Sequence, residues 1–427
     1  MIVTRPGTET TNYGASLVST QNHVESPFII VKIGKYTFGH CDVEYKHKLQ
    51  SHFHVTYPNY MDSLQVNKIN GSINTYTLTM TYAITEADDP NRLEKVFGSI
   101  SKSRTIYISY GDWNAPSFIY KEEEAIITKL TTRVNLNSSQ INYTITCTST
   151  SAMLTAAPYN FPAKRAKPSE VIISLLSNSR YGLTDIFTGM RNLTKAMFKS
   201  FIATDDKTVQ LEAKTGITII DYISYLVSCM VFSGETTSDL KKSVYFWSTY
   251  DDVTSEYGGT YFKVVRVPSN TKTLVSYNTY EVDVGYPSSS CVIDFSVNND
   301  DSWSILYDYS KRVSLPEYCY EIDDKGDMIQ TVSPAATVSR KTLKTTEATR
   351  NWWSRVTSFP ISATLTLKGL LRPAMLMTYV KVNTYFYGHK HVSSGLYIIT
   401  KQQDQINKNG YRTTLSLTRV GSDELYA

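Results

Sequence analysis

The sequence carries little charge for its length. Asp, Glu, Lys and Arg make up 19% of 427 residues, and the net charge is only +4. Partners bound through their phosphates, such as nucleic acids or anionic membranes, are therefore not favoured. Hydrophobic residues make up 41%, as in folded globular proteins. We expect a folded protein without a strongly basic surface.

Cysteines are few, and they form no motif. Their number is odd and no two of them make a Cys-x-x-Cys pair: Cys41, Cys147, Cys229, Cys291 and Cys319. A disulfide framework needs an even number of well-spaced cysteines, so none is expected. Cys147 lies in a strand pattern and Cys229 in an apolar helix pattern, which predicts buried thiols.

Long hydrophobic runs are also missing. The longest apolar stretch, Ile217–Phe232, is interrupted by Asp221 and is short for crossing a bilayer. The first residues, Met1 to Gly7, have no apolar core of a secretory signal. We therefore expect a soluble protein that is made in a cytoplasm and has no membrane anchor.

Catalytic motifs are absent as well. The sequence contains no His-Glu-x-x-His, no Gly-x-Ser-x-Gly and no phosphate-binding loop. Two His-x-His pairs, His52/His54 and His389/His391, have a spacing that some metal sites use, but further ligands do not lie nearby. Solvent-facing or interface histidines are the alternative. Cys41 lacks the local signature of a thiol protease. We expect no catalytic residue, no cofactor and no bound metal.

Acidic pairs and tryptophans are the remaining candidates for chemistry. Turn or helix-capping roles are favoured over a glycosidase pair for the acidic pairs, which lie at residues 88–89, 251–252, 300–301 and 323–324. Exposed aromatic residues often dominate interfaces. Trp113, Trp352 and Trp353 are therefore candidate interface residues, with burial in a core as the alternative.

Tyrosine is abundant, with 32 Tyr against 15 Phe, and it often alternates with threonine. Both residue types favour strands, and the Tyr hydroxyl tolerates water at surfaces and interfaces. The segment from Thr75 to Tyr82 places aromatic and aliphatic residues on one face and threonines on the other. Half-buried sheets are the predicted main element.

A repeated tetrapeptide organises this β-rich sequence. Ile-Ile-Thr-Lys occurs at Ile126–Lys129 and again 272 residues later at Ile398–Lys401. Each copy leads into an Asn-rich turn and then a Thr-rich alternating strand. The shared pattern predicts a duplicated hairpin, the last in each of two β modules.

The predicted fold class is mainly β with an α+β insertion: two similar small β-barrel modules separated by a helical and mixed middle region. We divide the chain into five segments: an N-terminal arm (1–26), a first β-barrel module (27–152), a helical region (153–235), a mixed α+β insertion and loop (236–355), and the C-terminal part of the second β-barrel module (356–427).

Two stretches resemble the baseplate hub, or tail hub, family of contractile and long-tailed bacteriophages. They are the apolar helix at Gly216–Ile223 and the closing run from Ser394 through Arg419. The closing run is similar to the end of the second barrel in hub proteins. The resemblance covers residues 28–150 and 355–421, and the middle of the chain only loosely.

This resemblance implies a structural virion protein rather than an enzyme. Three subunits, each with two similar barrels, would give six equivalent units around the channel through which DNA passes. The implied partners are two further copies of the chain, the sixfold tail tube protein, a threefold spike or tail-tip protein and other baseplate proteins. Its place would be the phage tail, after synthesis in the host bacterial cytoplasm.

Two alternatives come from other classes of protein. A tail-associated cell-wall-degrading enzyme would need convergent carboxylates or a Cys–His pair in a cleft. A secreted β-rich adhesin is permitted by four glycosylation sequons, at Asn70, Asn137, Asn142 and Asn192. The N-terminal sequence does not favour secretion.

Overall fold

A computed structural model describes the chain in segments. The described residues are 27–34, 36–40, 60–83, 105–112, 120–135, 137–191, 193–205, 207–230, 232, 244–252, 259–267, 278–284, 292–299, 318–322, 328–332, 361–368, 376–391 and 393–422. Their fold is mainly β, with short helices between two strand-rich parts. The predicted fold class is therefore confirmed.

The first module consists of seven antiparallel strands: β1 (Pro27–Ile33), β2 (Tyr36–His40), β3 (Met61–Ile69), β4 (Thr75–Ala83), β5 (Thr105–Asp112), β6 (Tyr120–Asn135) and β7 (Gln140–Ser149). They are ordered β2-β1-β5-β6-β7-β4-β3. The turns of the first two hairpins contain Gly34 and Gly71, whose φ angles of 58° and 68° favour glycine. Both hairpins agree with the prediction from sequence.

The first module curls on itself. The backbone N–H of Tyr60, next to β3, donates to the carbonyl of Gly39 in β2 at 3.1 Å. Alternate residues of every strand then point inward, as period-two patterning requires. In β4 the buried residues are Tyr76, Leu78, Met80 and Tyr82, the face that the alternation predicts.

A middle region follows with a separate hydrophobic core. Its elements are β8 (Tyr159–Phe161), β9 (Lys164–Ala166), α1 (Pro168–Leu176), α2 (Leu183–Ile186), β10 (Val209–Leu211), β11 (Lys214–Ile217), α3 (Ile219–Ser228), β12 (Val244–Asp252) and β13 (Gly259–Val267), with short 3₁₀ turns at 150–155, 179–181, 188–190 and 197–200. Pro168 begins α1, and the Thr218 hydroxyl accepts from the Asp221 N–H as the N-cap of α3. Within the predicted helical region (153–235), residues 181–201 form α2 and short turns rather than one long helix, because Gly182 and Phe187 depart from helical angles.

The second module contains β14 (Asn278–Val284), β15 (Val292–Asn299), β18 (Ile361–Lys368), β19 (Tyr379–Phe386), β20 (His389–Lys390), β21 (Gly395–Asn407) and β22 (Gly410–Ser422), while β16 (Tyr318–Ile322) and β17 (Met328–Val332) pair only with each other. The main order is β15-β18-β22-β21-β19-β14. Because β14 and β15 pair with C-terminal strands, residues before 356 also contribute strands to this module.

No helix among the described residues is long and apolar enough to cross a membrane.

Candidate functional site

The two modules share one strand plan. Six strands of the first module correspond to six of the second in both chain order and position in the sheet: β1 to β14, β3 to β15, β4 to β18, β5 to β19, β6 to β21 and β7 to β22. One pairing differs, since β1 runs antiparallel to β5 whereas β14 runs parallel to β19. The sheet plan therefore supports the duplication that the sequence predicts.

The repeated Ile-Ile-Thr-Lys marks an identical irregularity in both hairpins. In β6 the register shifts between Ile127 and Lys129, and in β21 it shifts between Ile399 and Lys401. The extra residue is Thr128 in one hairpin and Thr400 in the other. Each Thr hydroxyl donates to a carbonyl of the facing strand, at 3.0 Å and 3.2 Å. The motif therefore encodes a β-bulge that bends the hairpin.

The hairpin tips are equivalent too. Asn135 and Asn407 each accept a bond from the backbone N–H two residues later, at 3.2 Å and 2.8 Å. Asn side chains favour such turns because they replace a backbone acceptor.

A second shared bulge lies between Met61 and Ser63 in β3, and between Val292 and Asp294 in β15.

The modules join through one strand that serves both. The first half of β21 pairs with β19, whereas its second half, from Lys401 to Asn407, pairs with β3. We call the pairing of β21 with β3 the junction. Gln402, Asp404 and Ile406 of this half are buried, and Ile406 belongs to the core of the first module. The second module therefore supplies a strand to the first barrel.

A buried polar cluster lies at the junction. Its members come from both modules: Lys68, Tyr76, Tyr110, Glu123, Gln402, Asp404, Tyr411 and Thr413. Glu123 accepts bonds from the Lys68 ammonium at 2.5 Å, from the Tyr76 hydroxyl at 2.5 Å and from the Tyr110 hydroxyl at 2.9 Å.

The second carboxylate of the cluster is held in the same way. Asp404 accepts from Thr413 at 2.7 Å, from Gln402 at 2.8 Å and from Tyr411 at 3.1 Å. Buried carboxylates require such bonds, since an unpaired buried charge is costly.

Beyond burial, negative charges in each half of the cluster raise the pKa of a tyrosine in the other half. Burial, reinforced by the negative charges of Glu123 and Asp404, raises the pKa of Tyr110 well above its usual value. Burial and the Asp404 carboxylate raise the pKa of Tyr411 in the same way. Both hydroxyls therefore stay protonated at neutral pH and can donate to the carboxylates.

The cluster is suited to positioning rather than to turnover. Glu123 and Asp404 are 2% and 1% exposed, so a macromolecular substrate cannot reach either carboxylate. Each accepts three side-chain bonds from neighbouring groups. The cluster lies where the tip of the second hairpin enters the first barrel, since Ile406 and Tyr411 belong to the core of that barrel.

Sequence reasoning missed this cluster. Lys68 and Asp404 lie in strands of ordinary alternation, and Glu123, the partner of Lys68, is 55 residues away in the chain. The one available signal was a charged residue at an inward position, since Lys68 follows Leu64 and Val66 on the same face.

The interface candidates from the sequence, Trp113, Trp352 and Trp353, lie outside the described residues and stay predictions. The same is true of His52, His54 and Cys41. His391 is described, and its Nδ1 lies 2.9 Å from the Ser393 hydroxyl. No group of three potential metal ligands occurs within the described part of the chain.

Comparison with known proteins finds similarity only in structure. No family model matches the sequence, and no curated protein matches it significantly. Among solved structures, the fold is similar to the 43 kDa tail protein of prophage MuSo2 from Shewanella oneidensis, at 9% identity and a TM-score of 0.49, over 93% of this chain and 100% of that one. A tail protein from Neisseria meningitidis is similar at 8% identity and a TM-score of 0.47, over 92% and 98%.

A third similar structure is an E. coli component of the type VI secretion system, itself described as structurally similar to bacteriophage T4 tail proteins. It matches at 9% identity and a TM-score of 0.43, over 86% of this chain and 74% of that one. At such TM-scores the role of this chain has to be argued from its own geometry.

Proposed function

We propose that this chain is a structural hub protein of a phage tail or baseplate. The observation that carries the proposal is the duplicated strand plan, joined edge to edge by the junction. One chain presents two equivalent modules side by side, so a ring of three chains presents six. Such a ring contacts a sixfold tail tube on one face and a threefold spike or tip protein on the other.

In this role the chain is not an enzyme. The backbone pairing of β21 with β3 fixes the angle between the two modules. The polar cluster lies at this pairing, with the Glu123 bonds joining β3, β4, β5 and β6 on one side and the Asp404 bonds joining β21 and β22 on the other. A rigid angle is what a closed ring requires from each of its subunits. The weak net charge suits a channel through which DNA slides without binding.

The test is the mass and location of the assembled protein. Light scattering of the purified chain, alone and with its tail components, is expected to give three times 48.3 kDa. Electron microscopy of tail particles is expected to place the chain on the tail axis. A chain that stays monomeric and never joins tail particles would contradict the proposal. Clearing of cell walls by the purified protein would favour the tail-associated enzyme instead.

A further inference from the structure

One turn of the first module contacts both other parts of the chain. The β3–β4 turn donates two consecutive backbone N–H groups to different partners. That of Asn70 donates to the Thr400 carbonyl of β21 at 2.9 Å, and that of Gly71 donates to the Trp247 carbonyl of β12 at 2.9 Å. We call Asn70 and Gly71 the three-way turn, because the first module, the second module and the middle region meet at these two residues.

The partner of the three-way turn in the second module is the bulge that the repeated tetrapeptide encodes. Thr400 is the extra residue of β21, and its hydroxyl donates to the facing strand β22. Its carbonyl accepts from Asn70 directly beside the first pair of the junction, Lys401 with Ile69. A movement of the turn therefore acts on the end of the junction.

The partner in the middle region is held in place by its own side chain. The Trp247 indole is buried, donates to the Ser224 hydroxyl of α3 at 3.0 Å and stacks on the Phe262 ring of β13, with the ring centroids 5.6 Å apart. Gly71 has a φ of 68°, and a Cβ there would lie 3.8 Å from the indole nitrogen. Glycine thus allows the left-handed conformation that brings its N–H to the Trp247 carbonyl.

The β12–β13 hairpin that carries Trp247 lies between two hydrophobic cores. Trp247 and its cross-strand partner Val264 belong to the core of the middle region. The next pair, Phe246 and Val265, faces the other way and packs against the core of the second module. The two faces of one hairpin share a backbone, so they move together. The hairpin therefore links the middle region to the second module, and it also holds the turn of the first module.

We propose that the three-way turn couples the middle region to the junction. A partner that shifts the middle region would change the pairing of β21 with β3, and with it the angle between the two modules. The coupling rests on contacts within one chain and is independent of the number of copies in an assembly. Because coupling between two sites is reciprocal, loosening the junction must also loosen the bond between the turn and Trp247.

The test is amide hydrogen exchange of the full chain under native conditions. Trp247→Ala removes the indole from the core of the middle region. Leu183→Ala is the matched control, because Leu183 is buried in the same core but lies in α2. Trp247→Ala is expected to speed exchange of the Asn70 and Gly71 amides by about fivefold or more, and to speed exchange in the second half of β21 as well. Leu183→Ala is expected to leave these amides unchanged.

A reverse arm perturbs the junction and measures the contact with the middle region. Ile406→Ala opens a cavity at the junction. Ile108→Ala is its matched control, because Ile108 is equally buried in the same core but lies on β5. Several-fold faster exchange of the Gly71 amide is expected in the first variant and native exchange in the second.

Faster exchange in both test variants, with native exchange in both controls, supports the coupling. Equal acceleration by Leu183→Ala would mean that the middle region loosens as a whole, and it overturns the proposal. Native exchange of the turn in a folded Trp247→Ala variant also overturns it, as does a Gly71 amide that Ile406→Ala leaves unchanged. If circular dichroism shows that Trp247→Ala is unfolded, Trp247→Phe replaces it, and several-fold acceleration is again expected. The trimer is measured separately by light scattering, and none of these outcomes changes it.

Discussion

At the scale of single residues, Glu123 is the centre of the first-module half of the polar cluster. It lies between Lys68 and two tyrosine hydroxyls, and all four side chains are buried. We predict that Glu123→Gln lowers the free energy of unfolding by about 3–5 kcal/mol, because a buried ammonium loses its charged partner. Chemical denaturation followed by circular dichroism measures this change.

The matched control for Glu123 is its neighbour in the same strand. Glu124 is exposed, so Glu124→Gln is expected to change stability by no more than about 0.5 kcal/mol. If both variants lost the same stability, the loss would come from removing a negative charge from the strand and not from breaking the buried pair of Lys68 and Glu123. A loss below about 1 kcal/mol for Glu123→Gln would also contradict a structural role for the cluster.

At the scale of elements, the bulges explain why the tetrapeptide occurs twice. A strand without its extra residue would turn every later side chain to the other face. We predict that deleting Thr400 exposes Asp404 and Ile406 and prevents a stable junction. Thr400→Val and Thr128→Val keep the bulge and lose one hydrogen bond, so each is expected to cost only about 0.5–1.5 kcal/mol.

Denaturation curves and amide hydrogen exchange of β3 distinguish these outcomes. Rapid exchange in β3 after the deletion is expected, since β21 then fails to pair with it. Thr131→Val, at an exposed position of β6, serves as the control for replacing a strand threonine. If the deletion variant kept native exchange in β3, the bulge would not set the register.

Elements were predictable from sequence where local signals are strong. The hairpins about Gly34 and Gly71 and the alternation of β4 follow from turn residues and period-two patterning. The correspondence of β4 with β18 was not seen, although Thr-Leu-Thr occurs in both at residues 77–79 and 364–366. A match of three residues that are common in strands does not show that two strands are equivalent. The equivalence becomes visible only when the strand pairings place β4 and β18 at the same position in their sheets.

The polar cluster and the junction could not be predicted for another reason. Their contacts join residues far apart in the chain, such as Gln402 with Lys68, and depend on which strand edges meet. Sequence patterning shows which face of a strand is buried, but not which neighbour it pairs with. The pairing of β14 with β19 and of β15 with β18 could not be predicted for the same reason.

At the scale of the whole molecule, the two hairpins share the same bulge and the same Asn turn but differ in their surroundings. The tip of the second hairpin places Ile406 inside the first barrel, whereas the tip of the first hairpin leaves Val134 in water. The second hairpin is buried at its tip because its outer edge pairs with β3 of the first module.

A paired substitution tests that view. Ile406→Ala is expected to lower the stability of the isolated chain by about 2–5 kcal/mol, as for a buried isoleucine. Val134→Ala is expected to change it by less than about 0.5 kcal/mol, because its side chain is exposed. Chemical denaturation of the two variants measures both changes. Equal losses at the two positions would contradict the difference in burial between the two hairpin tips.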